Sequence, residues 1–258
     1  MKQFLILGNW KENKTLEEAM AWADIVITKI QGVKNTKIAV CPPYPLIPFM
    51  AEVSKQSPLK IGAQDISLYD KGTYTGEVSG ELLKDYAAYI IVGHSERRRF
   101  FNETNEIVAT KVKQVLKYGL IPVVCLADTV TEQGIPVGAE ATYNEVNFTA
   151  QITSIFMQLT GEEQNKVIFS FEPPTAISSQ TVAGAQGTAA SLATVETIIN
   201  KIKTLTGNNS VLYGGSVKSS NVLEYLKSPV IDGVMPGSAS MDAEEFIRLV
   251  LTVDEANQ

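Results

Sequence analysis

The sequence is poor in the residues that hold metal ions, with one histidine and two cysteines in 258 residues. A lone histidine and two distant cysteines cannot supply the clustered ligands of a transition-metal site, so we expect no metal and no cofactor. Cys41 and Cys125 each stand near the end of an apolar run, a position typical of a buried free thiol. Because reduced thiols are typical of the cytoplasm, we expect that compartment.

Two classes of partner are disfavoured by what the chain lacks. No segment reaches the roughly 18 uninterrupted apolar residues of a membrane helix. Residues 1–8 also lack the basic start and apolar core of a signal peptide. Lysine and arginine number 22 against 28 acidic residues, a formal net charge of -6. Since nucleic acid affinity rests on clustered cations, we expect neither a membrane nor a nucleic acid partner, and an anionic small molecule would need a local group of donors.

Eight short apolar runs recur along the chain, at residues 4–7, 37–40, 59–63, 89–92, 121–126, 167–171, 211–213 and 230–235. Most are continuously apolar, which is typical of parallel strands covered on both faces. The segments between them include three with helical periodicity, at 16–30, 107–116 and 192–205. In the first of these, Leu16 and Met20 fall on the stripe predicted to be buried, together with Ala19 and Ala23.

This alternation of strand and helix defines the predicted fold class, α/β. Eight such units in a chain of this length predict a closed (β/α)8 barrel that forms a single domain over residues 1–258. An open doubly wound sheet is the alternative architecture.

Polar residues follow two of the predicted strands directly. In a closed barrel, functional residues gather at the carboxyl ends of the strands. Asn9 and Lys11 follow the first run, and His94, the only histidine, follows the fourth. Ser95 and Glu96 resemble the start of a short helix, whose N-terminus disfavours the charged form of an adjacent imidazole. His94 is therefore a candidate neutral hydrogen-bond donor, with a purely structural role as the alternative.

A carboxylate follows the sixth run. Glu172 precedes Pro173 and Pro174, and residues 175–187 are rich in Ser, Thr, Gly and Ala. A segment with so little to pack predicts a mobile flap over the rim of the barrel. The flap favours a functional role for Glu172 over that of a capping or salt-bridged glutamate.

Glycine turns follow the last two runs. Gly214, Gly215 and Ser216 come after the seventh run, and Gly237 and Ser238 come after the eighth. Glycine turns that lead into helices present backbone N–H groups at the positive end of the helix dipole, and so bind phosphate without a basic side chain. Because barrels commonly bind phosphate at these two loops, the pair predicts a phosphate site.

In order and spacing, these residues resemble the triosephosphate isomerase family over essentially the whole chain. The motifs that carry the resemblance are Asn9-Trp10-Lys11, Gly76-Glu77-Val78-Ser79, Gly93-His94-Ser95-Glu96-Arg97-Arg98, Phe171-Glu172-Pro173 and Tyr213-Gly214-Gly215-Ser216-Val217. The resemblance implies a TIM barrel enzyme that interconverts dihydroxyacetone phosphate and D-glyceraldehyde 3-phosphate through an enediolate, a reaction of glycolysis and gluconeogenesis. It implies no cofactor.

The resemblance also implies a role for each candidate residue. Glu172 is expected to be the general base, and His94 the electrophile at the carbonyl. Lys11 is expected to supply positive charge beside the developing enediolate, and Asn9 to orient these groups. The substrate phosphate is expected to meet the backbone N–H groups of Ser178, Ser216, Gly237 and Ser238.

A homodimer is a further implication of the resemblance. Residues 64–79 match a long loop that inserts into the neighbouring subunit, with Thr75 placed to reach toward the partner's Asn9 and the partner's Lys11. Glu96 is expected to support the site from beside His94 or to lie at the interface. An ordinary solvated loop is the structural alternative.

Three segments depart from the family pattern. Pro174-Thr175 stands where the flap hinge usually has Val-Trp, and Asp128 stands where the fifth strand usually ends in Glu. Because that Trp and that Glu contact each other in typical members, their joint loss indicates one substituted latch. Ser178-Ser179-Gln180 replaces Gly-Thr-Gly at the flap tip, and Ser238 replaces a glycine while keeping its N–H.

Two other functions are compatible with parts of the pattern. The glycine turns alone permit a different phosphate-binding barrel enzyme, and the altered flap permits a catalytically silent barrel that binds sugar phosphate. The presence of Lys11, His94 and Glu172 together argues against both alternatives.

Overall fold

Eight parallel strands close into one ring in the computed structural model, which describes residues 3–127, 144–173 and 190–257. The strands are β1 (Phe4–Asn9), β2 (Thr36–Cys41), β3 (Leu59–Ala63), β4 (Tyr89–Val92), β5 (Ile121–Ala127), β6 (Ile168–Glu172), β7 (Val211–Tyr213) and β8 (Gly233–Val234). Each strand pairs with the next one along the chain, and β8 pairs with β1, where Leu5 lies opposite Gly233. This last pairing confirms the closed barrel and excludes the open doubly wound sheet.

The eighth strand is shorter than the sequence predicted, because it begins at Gly233 rather than near residue 230. Just before this strand, Asp232 Oδ2 accepts the Val211 N–H at 2.8 Å, and the Asp232 N–H donates to the Val211 carbonyl at 2.9 Å. The same carboxylate lies 2.6 Å from Lys203 Nζ. Asp232 therefore joins the start of β8 to β7 through both its side chain and its backbone.

The helices between the strands are α1 (Leu16–Lys29), α2 (Ile47–Ser54), α3 (Gly80–Leu83), α4 (Ser95–Phe100), α5 (Asn105–Lys117), α6 (Glu145–Phe156), α7 (Gly161–Gln164), α8 (Leu192–Thr206), α9 (Val222–Leu226), α10 (Ser238–Met241) and α11 (Ala243–Ala256), with a 3₁₀ turn at Tyr44–Leu46. Side-chain caps begin the longest of them: Thr15 and Glu18 form a capping box on α1, and Ser191 caps α8. Within the described ranges, no helix is long and apolar enough to cross a membrane.

The interior of the barrel is filled by a separate apolar cluster of ten buried residues: Leu5, Leu7, Ala39, Cys41, Tyr89, Ile91, Val123, Cys125, Leu212 and Met235. Successive side chains of a strand point to opposite faces. Asn9 therefore shares the interior face with Leu5 and Leu7, while Glu172 shares it with Ile168, which packs against the same cluster. Both polar residues end their strands, so they lie at the rim of the barrel.

Candidate active site

The turn after β1 holds Lys11 in a strained backbone conformation. Lys11 has a φ of 52°, in the left-handed region that residues with a side chain seldom occupy. Its N–H donates to Asn9 Oδ1 at 3.0 Å, and its carbonyl accepts from Gln64 Nε2 at 2.8 Å. Trp10 Nε1 donates to the Ser240 carbonyl at 3.1 Å and joins this turn to α10. Backbone strain of about 1 to 3 kcal/mol that its surroundings maintain is typical of functional sites.

His94 caps α4 with its own side chain. The Glu96 N–H donates to His94 Nδ1 at 3.2 Å. Because Nδ1 accepts this hydrogen bond, the proton of the neutral imidazole lies on Nε2. The preceding Gly93 has a φ of 68°, and a Cβ there would lie 2.8 Å from Val108 Cγ2, so only glycine fits at this position.

Glu172 contacts the same turn from across the barrel rim. Its carboxylate is 1% exposed. Oε1 accepts from His94 Nε2 at 3.0 Å, and Oε2 accepts from the Ser95 N–H at 3.0 Å. Gly214 leaves room for this side chain, since a Cβ on Gly214 would lie 3.1 Å from Glu172 Cγ and 2.7 Å from Ser170 Oγ. The structure thus brings the residue predicted as base against the residue predicted as electrophile.

A thiol lies next to the Glu172 carboxylate. Burial, followed by the negative charge of Glu172 and a hydrogen bond to it, raises the pKa of the Cys125 thiol well above its usual range. Cys125 therefore remains an uncharged S–H donor to Glu172. Burial likewise raises the pKa of Cys41, and both cysteines are free, as predicted from their positions in the sequence.

Lys11 is joined to the helix of His94 by an ion pair. Lys11 Nζ lies 2.5 Å from Glu96 Oε1, with both side chains partly exposed. Glu96 Oε2 lies 3.7 Å from His94 Nδ1. A partly exposed pair of this kind adds little stability, but it fixes the position of the ammonium group. Glu96 therefore lies next to both Lys11 and His94.

One pocket collects these side chains at the carboxyl ends of the strands. Its lining consists of Asn9, Lys11, His94, Glu172, Gly214, Gly215, Ser216, Val217, Met235, Gly237, Ser238 and Met241. The strand-end residues and both glycine turns predicted from the sequence are therefore neighbours. The predicted flap at 175–187, with Ser178 and Thr175, lies outside the described residues, as do Pro174 and Asp128.

The turn after β7 is hydrogen-bonded to the side chain of Asn221, the residue that precedes α9. Asn221 Nδ2 donates to the Ser216 carbonyl at 3.1 Å, and Asn221 Oδ1 accepts the Lys218 N–H at 2.8 Å. After β8, Gly237 caps α10 and accepts Ser240 Oγ at 2.6 Å through its carbonyl. Residues of both turns line the pocket, and glycine turns that lead into helices are typical of anion sites.

A metal ion is not suggested by the residue types around this pocket. Across residues 3–127, 144–173 and 190–257, no three His, Cys, Asp or Glu side chains form a group that would hold one.

Two residues of the site were not singled out from the sequence. Gln64 Nε2 donates to the carbonyls of Lys11 and Cys41, at 2.8 and 2.9 Å, and so holds the strained turn. It directly follows β3, and the rule that pointed to His94 would also have found it. The second is the Ser95 N–H, a backbone donor with no sequence signal beyond the helix start.

Thr75 lies within an exposed stretch, residues 71–77. Next to it, Tyr69 and Tyr74 stack with ring centroids 3.7 Å apart and planes within 4°. The two side chains are 44% and 41% exposed. This loop therefore presents apolar rings to solvent and does not contribute Thr75 to the pocket of its own chain.

The base of the loop is anchored on α5. Gln114 Nε2 donates to the Leu68 carbonyl at 3.0 Å, and Tyr118 Oη donates to Asp70 at 2.8 Å. Lys117 Nζ lies 2.6 Å from the same Asp70 carboxylate. The hydrogen bond to Asp70, with smaller effects of burial, raises the pKa of Tyr118 to about 12. These contacts hold the loop in a defined shape.

The comparisons with known proteins agree with this geometry. The sequence model described as triosephosphate isomerase matches residues 4–253. The chain is 33% identical over 260 residues to triosephosphate isomerase from Dehalococcoides mccartyi (strain CBDB1), covering 96% of each protein. It is 34% identical over 258 residues to that from Clostridium botulinum (strain Langeland), covering 97% of this chain and 99% of the relative.

A solved structure shows the same likeness in three dimensions. Triosephosphate isomerase from Bartonella henselae superposes with a TM-score of 0.77 at 25% identity, covering 97% of this chain and 98% of that one. A closed barrel, a pocket that unites lysine, histidine and glutamate at three strand ends, and matches over nearly the whole length lead to one assignment. The chain belongs to the triosephosphate isomerase family and is an isomerase.

Proposed function

We propose that the chain interconverts dihydroxyacetone phosphate and D-glyceraldehyde 3-phosphate, with Glu172 as the base that moves the proton. The observation that carries the proposal is the contact of Glu172 with both His94 Nε2 and the Ser95 N–H in the pocket that Lys11 also lines. Carboxylate, neutral imidazole and ammonium are the groups that proton removal beside a carbonyl requires.

Each group has a defined part in the proposed reaction. Glu172 removes a proton from the carbon next to the ketone, and the electron pair moves onto the ketone oxygen. The His94 Nε2–H and the Lys11 ammonium stabilise the negative charge on that oxygen. Glu172 then returns the proton to the former ketone carbon, while the hydroxyl proton on the first carbon passes to the former ketone oxygen, so that the first carbon becomes the aldehyde. Atoms and charge balance without a cofactor.

Asn9 is the proposed orienting group of the site. Its side-chain oxygen accepts the Lys11 N–H, and its own N–H donates to the Pro236 carbonyl at 2.9 Å. Asn9 therefore joins the lysine turn to the turn after β8. The substrate phosphate is proposed to bind the amides of Ser216, Gly237 and Ser238, which line the pocket on the side of these turns.

The proposed assembly is a homodimer in which residues 64–79 contact the neighbouring subunit. The exposed and stacked Tyr69 and Tyr74 support it, because apolar rings on a well-anchored loop are typical of an interaction surface. Phe100 and Phe101 at the end of α4 are 58% and 65% exposed and offer further apolar surface. Thr75 then reaches the partner's Asn9 and the partner's Lys11.

The chain is further proposed to form a single barrel domain and to be located in the cytoplasm. The two free and buried thiols, Cys41 and Cys125, support a reducing compartment. The family match argues against a different phosphate-binding barrel enzyme, and a catalytic assay decides between an active and a silent barrel.

The experiment is a coupled assay for glyceraldehyde 3-phosphate formed from dihydroxyacetone phosphate by the purified chain. We expect turnover that depends on enzyme concentration and is inhibited by phosphoglycolate, which resembles the enediolate. Binding of phosphoglycolate without any turnover would identify a silent barrel. Turnover without inhibition would place the reaction at another pocket.

A further inference from the structure

Gln64 joins the ends of three strands, although its side chain has no part in the reaction described above. It directly follows β3. Its Nε2 donates to the Lys11 carbonyl at 2.8 Å and to the Cys41 carbonyl at 2.9 Å. The Cys41 carbonyl also accepts the Trp10 N–H at 3.2 Å. One amide nitrogen therefore ties the turn after β1 to the end of β2.

A glutamine side chain is well suited to this position. Two backbone carbonyls face the same nitrogen, so two N–H donors are needed on one atom, and a primary amide supplies them. An ionised glutamate would present only acceptors to both carbonyls, and asparagine is one methylene shorter. The residue type at position 64 therefore matches the two contacts that it makes.

The turn at Lys11 needs hydrogen bonds on both of its sides to keep its shape. The φ of 52° at Lys11 lies in the left-handed region, which is unfavourable for a residue with a side chain. The Lys11 N–H donates to Asn9 Oδ1, and the Lys11 carbonyl accepts from Gln64. A strained backbone persists only where the surrounding structure enforces it. Loss of the Gln64 donor would therefore allow the turn to relax toward a negative φ.

The backbone that carries the Gln64 side chain is itself fixed. The next residue, Asp65, is buried, and its carboxylate lies 2.7 Å from Lys111 Nζ and 2.9 Å from Arg97 Nη2. Arg97 belongs to α4, the helix whose first residues border the pocket. Because its base is fixed against this helix, Gln64 holds the turn at Lys11 in one position relative to α4.

We propose that Gln64 is a positioning residue whose amide keeps Lys11 in its left-handed conformation and so directs the ammonium toward the substrate oxygen. This inference rests on the proposed function, in which Lys11 stabilises negative charge on that oxygen. Gln64 is not among the residues that line the described pocket, so it acts on the substrate through Lys11.

The two contacts of Lys11 with other segments have different effects. The ion pair with Glu96 holds the end of the side chain, whereas the hydrogen bond from Gln64 holds the backbone from which that side chain starts. A rotation of the backbone at one residue displaces the end of a long side chain. A displacement of about 1 Å is sufficient to lower a catalytic rate substantially.

The test is a double-mutant cycle between Gln64 and Lys11. Gln64→Met removes both donors at nearly constant length, and Lys11→Met removes the ammonium. Gln164→Met is the matched control, because Gln164 Nε2 also donates to two backbone carbonyls, those of Phe156 at 3.0 Å and Leu159 at 3.3 Å, from a half-buried position outside the pocket. The readouts are kcat, KM and the dissociation constant of phosphoglycolate.

We expect Gln64→Met to lower kcat about tenfold and to change KM by less than about twofold, because Lys11 acts on charge that develops in the transition state. Phosphoglycolate should bind at least about threefold more weakly, since it resembles the enediolate. In the Lys11→Met background, the same change should alter kcat and phosphoglycolate affinity by less than about twofold, because the group that Gln64 positions is gone. Gln164→Met should keep all three readouts within about twofold of the parent.

Circular dichroism checks folding, and Gln64→Asn, with its shorter amide, replaces Gln64→Met if that variant does not fold. Values of kcat and phosphoglycolate affinity within about twofold of the parent in a folded Gln64 variant overturn the proposed role. A loss that persists undiminished in Lys11→Met, or that recurs in Gln164→Met, overturns it as well. If Lys11→Met has no measurable turnover, phosphoglycolate affinity completes the cycle.

The outcomes also separate this inference from the proposed function. An inactive parent that binds phosphoglycolate overturns only the proposed reaction, and the binding cycle still decides the role of Gln64. An inactive parent that does not bind phosphoglycolate overturns both.

Discussion

His94 Nε2 lies 3.0 Å from Glu172 Oε1, so the proposed electrophile and the proposed base are hydrogen-bonded to each other. The Nε2 proton cannot serve the Glu172 carboxylate and a substrate oxygen at the same time. Glu172 must therefore release His94 and the Ser95 N–H before it can act on the substrate carbon. Binding of the substrate phosphate to other loops provides free energy for this exchange, because only interactions that favour the reactive arrangement shift the balance toward it.

The state of His94 can be read directly by nuclear magnetic resonance. We expect the neutral tautomer with the proton on Nε2, because Nδ1 accepts the Glu96 N–H at 3.2 Å. Since His94 is the only histidine, the imidazole signals of ¹⁵N-labelled histidine can come from no other residue. Two protonated nitrogens at pH 7, or a proton on Nδ1, would contradict the proposed role.

Glu172→Gln is expected to remove the base while keeping the shape and volume of the side chain. We expect a folded protein whose kcat is lower by about 10²- to 10⁴-fold, since the other catalytic contributions remain. Steady-state kinetics and a thermal unfolding curve measure the two properties. Glu52→Gln, at an exposed pair with Lys55, is the matched control and should leave kcat unchanged. Activity of Glu172→Gln within a few-fold of the parent would rule Glu172 out as the base.

The dimer proposal predicts linked changes at residue 75. Thr75→Arg places charge in the exposed stretch 71–77 and is expected to shift the protein toward monomer and lower its activity together. Thr153→Arg, at an exposed position on α6, is the control and should change neither property. Sedimentation velocity at several concentrations gives the oligomeric state. A fully active parent monomer would contradict the proposal.

A buried charge network beside α4 predicts a pH-dependent loss of stability. Glu103 Oε1 lies 2.6 Å from both Lys111 Nζ and Arg97 Nε. Burial raises the pKa of Glu103, but the two cations outweigh burial and leave that pKa below its usual value. A carboxyl with a lowered pKa stabilises the fold at neutral pH and loses this contribution as pH falls through the folded-state pKa.

Glu103→Gln is therefore expected to lower the free energy of unfolding by about 3 kcal/mol at pH 7. The difference from the parent should shrink below about pH 4.5, where the unfolded carboxyl of the parent begins to bind protons. Urea unfolding at pH 7 and at lower pH, at one protein concentration, measures both values. Glu52→Gln in an exposed pair should change stability by under about 1 kcal/mol. A constant difference across pH would show that Glu103 acts by packing alone.

Much of the site could be predicted from the sequence, because in a closed parallel barrel the order of the strands along the chain determines which strands are neighbours. Once the eight apolar runs are recognised as parallel strands, the residues that end them must meet at one rim, and Asn9, His94 and Glu172 are found there. The glycine turns meet for the same reason. A linear pattern is sufficient here because Asn9, Lys11, His94 and Glu172 each lie within two residues of a strand end.

Other features depend on contacts between distant segments. The predicted stripe of α1 was wrong at Leu16 and Met20, which are 52% and 46% exposed, whereas Trp22 is buried at 2%. Trp22 packs edge-on against Trp10, with ring centroids 4.9 Å apart, and against Phe246. The buried face of α1 therefore includes Trp22 and leaves Leu16 and Met20 exposed. The orientation of Arg98 toward Gly93 likewise has no signal in a helical motif.

The most direct test of the proposed reaction is proton exchange with solvent. Dihydroxyacetone phosphate is incubated in D₂O with the parent enzyme or with Glu172→Gln, and the products are followed by proton nuclear magnetic resonance. A carboxylate that carries the proton exchanges it with solvent, so the parent should place deuterium on the carbon that receives the proton, and Glu172→Gln should do so at least about 100-fold more slowly. Isomerisation by the parent without deuterium uptake, or equal uptake by Glu172→Gln, would contradict a mechanism in which Glu172 moves the proton.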